Sequence, residues 1–428
     1  MSGGGIGRRF VNLGVLDGFK RLYSLRRLDL AKVNLFYRTA EEADAHAKVV
    51  PTLTLAQAMA PDRIRSCKTD LAAAEAAAPK IKPLPPPLLV TRPPSYYRPS
   101  TRTINFFPTA SENKVFVSNR ANRVFRFDTD DACVFTMPSL HEHKDTPLAI
   151  SVPPTTAHLH NDQDCGDLYI IDRLLKPDKG MAHFEALVWR SNRWHCDTLP
   201  LPPSIVHHKQ AFVCACALVG SETICFSISG PLGGGTYCFH TVTREWSKAG
   251  DWLMPFNGKA EYVPELGLWF GVAGLSSHLP CAVELSGVVS GQEPPPDKIV
   301  IWADEDLPKE WHPRELFDTK VISLGSGRFV VANFLCTMVL DRSNDMMTTA
   351  KKFAVFSGME VAYDNDKGKG KDKDDTGSNG CSNTVKRMPG LRMIKHKSSR
   401  YMFHNQGALE LVLCSGRRKT PSGLRLRS

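Results

Sequence analysis

Short apolar runs separated by polar turn residues fill the chain from Ile104 to Phe356. INFF, KVFVS, PLAISV, DLYIID, GLWFGV, KIVIW, KVISLG and RFVVANF are rich in Val, Ile, Phe and Tyr. Runs of this length and composition predict β-strands, and their close spacing predicts an all-β body. Four stretches read as strand, polar turn, strand. They are Val124–Phe135, Ala186–Cys196, Thr236–Trp246 and Cys336–Met346. Aligned on Asp128, Arg190, His240 and Asp341, they recur at steps of 62, 50 and 101. The last step is close to twice 50, so one diverged unit is expected between.

A unit of about 50 residues matches the four-stranded blade of a kelch-like β-propeller. Roughly 300 residues at that period give about six blades, with seven possible. The expected propeller spans 101–403, with a disordered insertion at 364–384 where DNDKGKGKDKDDTGSNGCSN has almost no apolar anchor. Strand-like sequence returns at Leu391–Phe403, and 404–428 reads as a basic tail.

The start of the chain reads differently. Residues 1–78 are a basic segment, expected to be partly helical. Leu16, Phe19, Leu22 and Tyr23 share a helical face, and Leu71–Ala78 (LAAAEAAA) is a strong helix former. A basic amphipathic start suits organelle targeting; the alternative is a small helix or strand packed on the body. Between Pro79 and Pro99 stand eight prolines, which fix φ and remove amide donors, so 79–100 is expected to be an extended linker.

Charge sharpens this division. The chain carries a formal net charge of +10, but residues 101–384 hold 27 Lys/Arg against 35 Asp/Glu, so the basicity lies at the two ends. An acidic body argues against nucleic acid as a partner. The 12 cysteines sit mostly in apolar runs, as Cys214, Cys216 and Cys225 do, and predict buried small side chains in a reducing compartment. Alternation puts Cys214 and Cys216 on one strand face. No apolar run reaches the roughly 18 residues of a membrane span, and Arg8 and Arg9 precede no signal-like segment. The expectation is cytoplasm or nucleus, without membrane contact.

The segment Gly233–Gly271 resembles the kelch pattern: Gly233-Gly234, then Phe239-His240, then Trp246 seven positions after the aromatic. With RRFVNL (Arg8–Leu13), SLRRLDL (Ser24–Leu30) and LRMIKHK (Leu391–Lys397), most of the chain resembles a grass-expanded plant family of kelch-like or F-box-associated-type propellers of unknown function. The resemblance implies a fold and no activity. The glycine pair lies closer to the aromatic than in kelch repeats, and the Val124 unit lacks the Trp. An F-box opening Leu-Pro and closing Cys-Lys/Arg-x-Trp is not readable in residues 1–80. Trp189, Trp194, Trp246, Trp252 and Trp269 are expected to pack within or between blades.

Candidate chemistry is sparse. Ala157–Asp167 offers His158, His160, Asp162, Asp164 and Cys165, donors suited to Zn or Mn, but in a stretch that reads as a solvated loop insertion. His141–Asp145 (HEHKD) is similar. Gly230–Gly235 lacks the Lys-Ser/Thr and the following helix of a phosphate loop. Cys414 precedes Arg417 and Arg418 without a supporting His, and Glu305 and Asp306 fit an acidic turn. No catalytic, cofactor or metal residue is assigned. The expected function is a non-catalytic protein-interaction module with an unidentified protein partner. The alternatives are a propeller enzyme or small-metabolite binder using the channel, and a ubiquitin-ligase adaptor.

Overall fold

A computed structural model describes residues 7–17, 22–53, 81–92, 104–154, 166–176, 182–205, 210–231, 233–274, 279–288, 299–303, 312–313, 319–341, 346–363 and 391–403. The candidates His158, His160, Asp162, Asp164, Cys165, Cys414, Glu305 and Asp306 lie outside them. So do the LAAAEAAA run, the insertion at 364–384 and the basic tail.

The described residues are mostly strand, built from antiparallel pairs of sequence neighbours. The Ile104 sheet contains Ile104–Pro108, Lys114–Asn119, Val124–Asp128 and Val134–Met137, paired in chain order. The Pro147 sheet repeats this with Pro147–Val152, Asp167–Asp172, Phe184–Arg190 and Arg193–Leu199. Next comes the Ala211 meander: Ala211–Val219, Thr223–Ser229, Gly235–His240 and Trp246–Gly250. The Gly258 meander follows with Gly258–Val263, Leu268–Val272, Pro280–Val283 and Ile299–Trp302. This is the diverged unit expected between His240 and Asp341. The first strands of these two meanders pair in parallel at Ala215↔Gly258 and Ala217↔Ala260.

The Arg328 sheet has three strands longer than any in the other sheets. It holds Thr319–Gly325, Arg328–Asp341, Met346–Tyr363 and Leu391–Phe403. Asp128, Arg190 and His240 each end the third strand of their unit, whereas Asp341 ends the second. The 101-residue step is therefore out of phase, and the repeat holds for three of its four members.

Phe239 and Trp246 face each other across the hairpin and touch at 5.0 Å between ring centroids, which explains their spacing of seven. Trp246 packs with Phe184 and Phe226 of two sheets, and Trp194 meets Phe116 edge-on at 5.5 Å. Trp252 and Trp269 join the cluster between the Ala211 and Gly258 meanders. Trp189 packs against Trp194 on its own hairpin. Trp302 is fully buried and stacks parallel to Phe270.

In the N-terminal segment, Leu16, Leu22 and Tyr23 lie on strands and not on one helical face. Phe10–Asp17 and Leu22–Asp29 form an antiparallel hairpin, and Pro87–Thr91 from the proline-rich stretch adds a third strand. Val11, Leu13 and Val15 share one strand face and are buried, and Asn12 and Gly14 between them are buried too. The only α-helices among the described residues are Leu30–Val33 and Ala40–His46. The reading of Cys214 and Cys216 on one face also fails. A β-bulge between Val213 and Ala215 breaks the alternation, leaving Cys214 half-buried and Cys216 buried.

Hydrophobic clusters lie between consecutive sheets. Tyr23 and Leu25 meet Phe106 and Val115. Phe116 meets Ile170 and Leu187. Phe184 meets Phe226 and Phe239. Cys225 meets Trp269 and Val283. Phe270 and Trp302 meet Phe329 and Met359. A sixth cluster joins the Arg328 sheet back to the N-terminal sheet, through Ile322, Val330 and Phe356 against Val11, Leu13 and Leu28. At Gly14 a Cβ would stand 2.7 Å from the Phe106 ring, so this sheet packs too closely for a side chain there. Polar contacts tie the same segment down. The Glu112 carboxylate accepts from the Phe10 amide at 2.6 Å, and Arg8 donates to Glu261 at 2.5 Å.

Candidate functional site

Two clusters of chemically capable side chains emerge. The first lies in the HEHKD loop, between the Ile104 and Pro147 sheets. Glu185 is fully buried on its strand, and its cross-strand partner is Thr198. The buried Lys144 ammonium bonds the Glu185 carboxylate and the Ala182 carbonyl, and donates to the Glu142 carbonyl at 3.0 Å. The same carboxylate accepts from the His141 amide at 2.7 Å and stands 2.8 Å from His141 Nδ1. Cys196 Sγ reaches it at 3.4 Å. Burial alone would raise the Glu185 pKa. The Lys144 charge and these hydrogen bonds outweigh it and hold the carboxyl below its usual range.

His141, Glu185 and Cys196 place three metal-capable donor atoms within 4.8 Å of one another. The donor set does not fit a metal. One Glu185 oxygen is engaged by Lys144, whose charge would repel a cation. Burial and the neighbouring Glu185 push the Cys196 thiol well above its ordinary pKa, whereas a ligand must be thiolate. The arrangement is a satisfied buried ion pair that fastens the loop to the next sheet.

The second cluster was not singled out by the sequence. It is a cavity of about 360 Å³ on the Arg328 sheet. Its walls are Tyr37, His46 and Lys48 from the N-terminal segment and Lys395, His396 and Arg400 from Leu391–Phe403, completed by Val355 and Ser398. Among the described residues its lining contains no carboxylate. The two basic ends of the chain thus meet at one place.

Local structure explains how. Ser357 pairs with Ser398 but Met359 pairs with Lys395, so His396 and Lys397 form a bulge opposite Gly358. The bulge lets Lys395 and His396, adjacent in sequence, line the same cavity with Ser398 and Arg400. The Lys397 amide donates to the Leu35 carbonyl at 3.0 Å, docking the N-terminal segment over the bulge. Gly358 makes room, since a Cβ there would stand 2.3 Å from that carbonyl oxygen. Beyond Leu35, Thr39 caps Ala40–His46. Its hydroxyl accepts from the Glu42 amide, and Glu42 accepts from the Arg38 amide, both at 3.1 Å. That helix delivers His46 and Lys48, and Lys48–Val50 pairs with Met393–Lys395. Thr52–Leu53 then pairs with Ile301–Trp302, so the segment straps the outer edges of two sheets.

Inside the cavity, Tyr37 stacks on His46 at 5.7 Å and lies 5.8 Å from His396, while Lys397 Nζ sits 4.4 Å from the Tyr37 ring centroid. The His396 side chain is 2% exposed. Its Nε2 stands 3.1 Å from a Glu360 oxygen, so that nitrogen carries the proton. The hydrogen bond from His396 keeps the Glu360 carboxyl below its usual range despite burial, with help from Arg328. His396 Nδ1 is buried and has no hydrogen-bond partner among the described residues. Burial lowers the pKa of Arg400.

The sequence does carry a signal for this site: Thr39-x-x-Glu42 has the capping-box spacing, and KHKSSR supplies basic residues. Gly230–Gly235 instead leads into the strand Gly235–His240. No helix among the described residues is long and apolar enough to cross a membrane.

Solved structures similar to this chain include the β-propeller domain of Cps50 (Swd1) from Myceliophteria thermophila, at 8% identity and a TM-score of 0.30. The match covers 60% of this chain and 80% of that one. A chain of a nidogen/laminin complex matches at 8% identity and a TM-score of 0.36, over 79% and 92%. A protein of unknown function from Bacteroides thetaiotaomicron matches at 15% and 0.32, over 58% of each. No curated protein matches the sequence. The family model that does match spans residues 8–401, and the chain belongs to the family described as protein of unknown function DUF1668.

Proposed function

We propose that the chain is a six-bladed, kelch-like β-propeller that works as a non-catalytic binding scaffold for a protein partner. The observation that carries this reading is the succession of six inter-sheet clusters, the last of which returns from the Arg328 sheet to the N-terminal sheet. A domain built this way begins near Arg8 and includes the hairpin Phe10–Asp29, in place of the boundary at 101. Packed sheets make a rigid frame, and the connections between strands offer binding surfaces. The polar cluster at Glu185 supports a structural use of charge, because its groups satisfy one another.

The test is affinity capture with the full-length protein, followed by reconstitution with the purified partner. The expected result is a stoichiometric complex that forms without chemical change to either protein. Turnover of a small molecule by the purified protein, abolished by one conservative substitution and seen without any partner, would overturn the reading.

A further inference from the structure

We propose that the cavity at His396 binds phosphate, and that its ligand is a small molecule carrying two or more phosphate groups. This does not depend on the scaffold reading above; either can fail alone. A volume of about 360 Å³ falls within the range of roughly 300–1,000 Å³ that holds small ligands. Lys48, Lys395 and Arg400 bring three basic side chains to its walls, and His46 and His396 add ring nitrogens. Arginine offers a planar fork to two oxygens, and lysine offers a point charge; a phosphate with three acceptor oxygens uses both.

His396 supplies the second, independent observation. Its ring is almost wholly buried, Nε2 is committed to Glu360, and Nδ1 has no partner among the described residues. His396 lines the cavity, and a phosphate held there gives the unpartnered Nδ1 a partner. The walls are preorganised: the bulge, the Leu35 carbonyl over Gly358 and the Thr39 cap fix them before any ligand arrives. A long nucleic acid fits less well. The strand Lys48–Val50 borders the cavity, and residues 101–384 carry an excess of eight acidic charges, which would repel a polyanion running onward.

The experiment is calorimetric titration of the full-length protein at low salt, with pyrophosphate, inorganic phosphate and sulfate as probes. Hydrogen exchange read by mass spectrometry accompanies it. Expected are saturable one-to-one uptake of pyrophosphate, weaker uptake of phosphate, and slowed exchange confined to 37–48 and 395–400. Affinity should fall about tenfold or more in the pair Lys48→Gln, Arg400→Gln, in line with loss of charge-assisted contacts. Arg190→Gln, on an exposed hairpin of another sheet, should leave it unchanged. Lys48→Gln alone changes an exposed residue and serves if the pair does not fold. The proposal is overturned by no saturable pyrophosphate binding, by equal weakening in Arg190→Gln, or by slowed exchange elsewhere. Uptake of a single-stranded oligonucleotide without uptake of pyrophosphate would also overturn it, in favour of a nucleic-acid surface.

Discussion

Glu185 and His396 are both buried ionisable groups on strands, yet the protein treats them differently. Around Glu185 every donor points at the carboxylate: the Lys144 ammonium, the His141 amide and ring, and the Cys196 thiol. Little capacity is left for a ligand. Around His396, Glu360 answers Nε2, Nδ1 has no partner among the described residues, and the residue lines a cavity with basic side chains. The first arrangement uses charge to hold a loop against a sheet. The second uses backbone devices, a bulge and a capped helix, to gather basic side chains around one cavity. Buried charge alone therefore does not mark a site; the balance of partners around it does.

The sharpest way to break this contrast is Lys144→Met. It leaves the Glu185 carboxylate buried without its cation, so a loss of about 3–5 kcal/mol is expected in urea unfolding. A loss under about 1 kcal/mol would mean that the pair is not a lock. Acid probes the same group without mutation. Its carboxyl is depressed in the folded protein, so its contribution is present above the ordinary carboxylate pKa of about 4.3 and is lost as pH falls through the lower folded value. Unfolding midpoints should therefore drop more steeply on acidification in the wild type than in Glu185→Gln.

Gly358→Ala sharpens the other side. The added methyl would meet the Leu35 carbonyl oxygen at 2.3 Å, with an expected cost of about 1–3 kcal/mol. Amides at 34–38 should exchange faster while those at 184–190 stay unchanged. A smaller effect is expected for Trp246→Phe, which keeps the aromatic packing but removes the indole donor to the Pro200 carbonyl at 2.8 Å, about 1 kcal/mol by thermal unfolding. The smallest is Lys48→Gln, within about 0.5 kcal/mol for a surface position, so that any effect on phosphate uptake is separable from stability.

Much of the strand content was legible because alternation and β-branched composition are local. The Phe239–Trp246 spacing was legible because it is a hairpin register. The N-terminal hairpin was misread for a physical reason. Leu16, Leu22 and Tyr23 satisfy a helical period, and the basic residues around them, Arg26 and Arg27 included, fit an amphipathic start. Yet Arg27 bonds Asn12 and, at 2.6 Å, Asp130, while Arg26 bonds the Pro85 carbonyl. Those partners come from the hairpin itself, a turn of the next sheet and the proline-rich stretch, none of which a local period reveals. Asp341 is out of phase because it ends the 14-residue second strand of its sheet and not a third strand. The cavity was hidden because its two walls are some 350 positions apart in sequence and meet only through the bulge opposite Gly358.

The central claim is that Phe10–Asp17 and Leu22–Asp29 belong to the folded body, between the Arg328 and Ile104 sheets. Native-state hydrogen exchange of the full-length protein tests it most directly. The account predicts that amides of Val11, Leu13, Val15 and Leu25 open with the same free energy as those of Val330–Phe334. Exchange of the hairpin at the rate of an unstructured leader, while Val330–Phe334 stay protected, would contradict it.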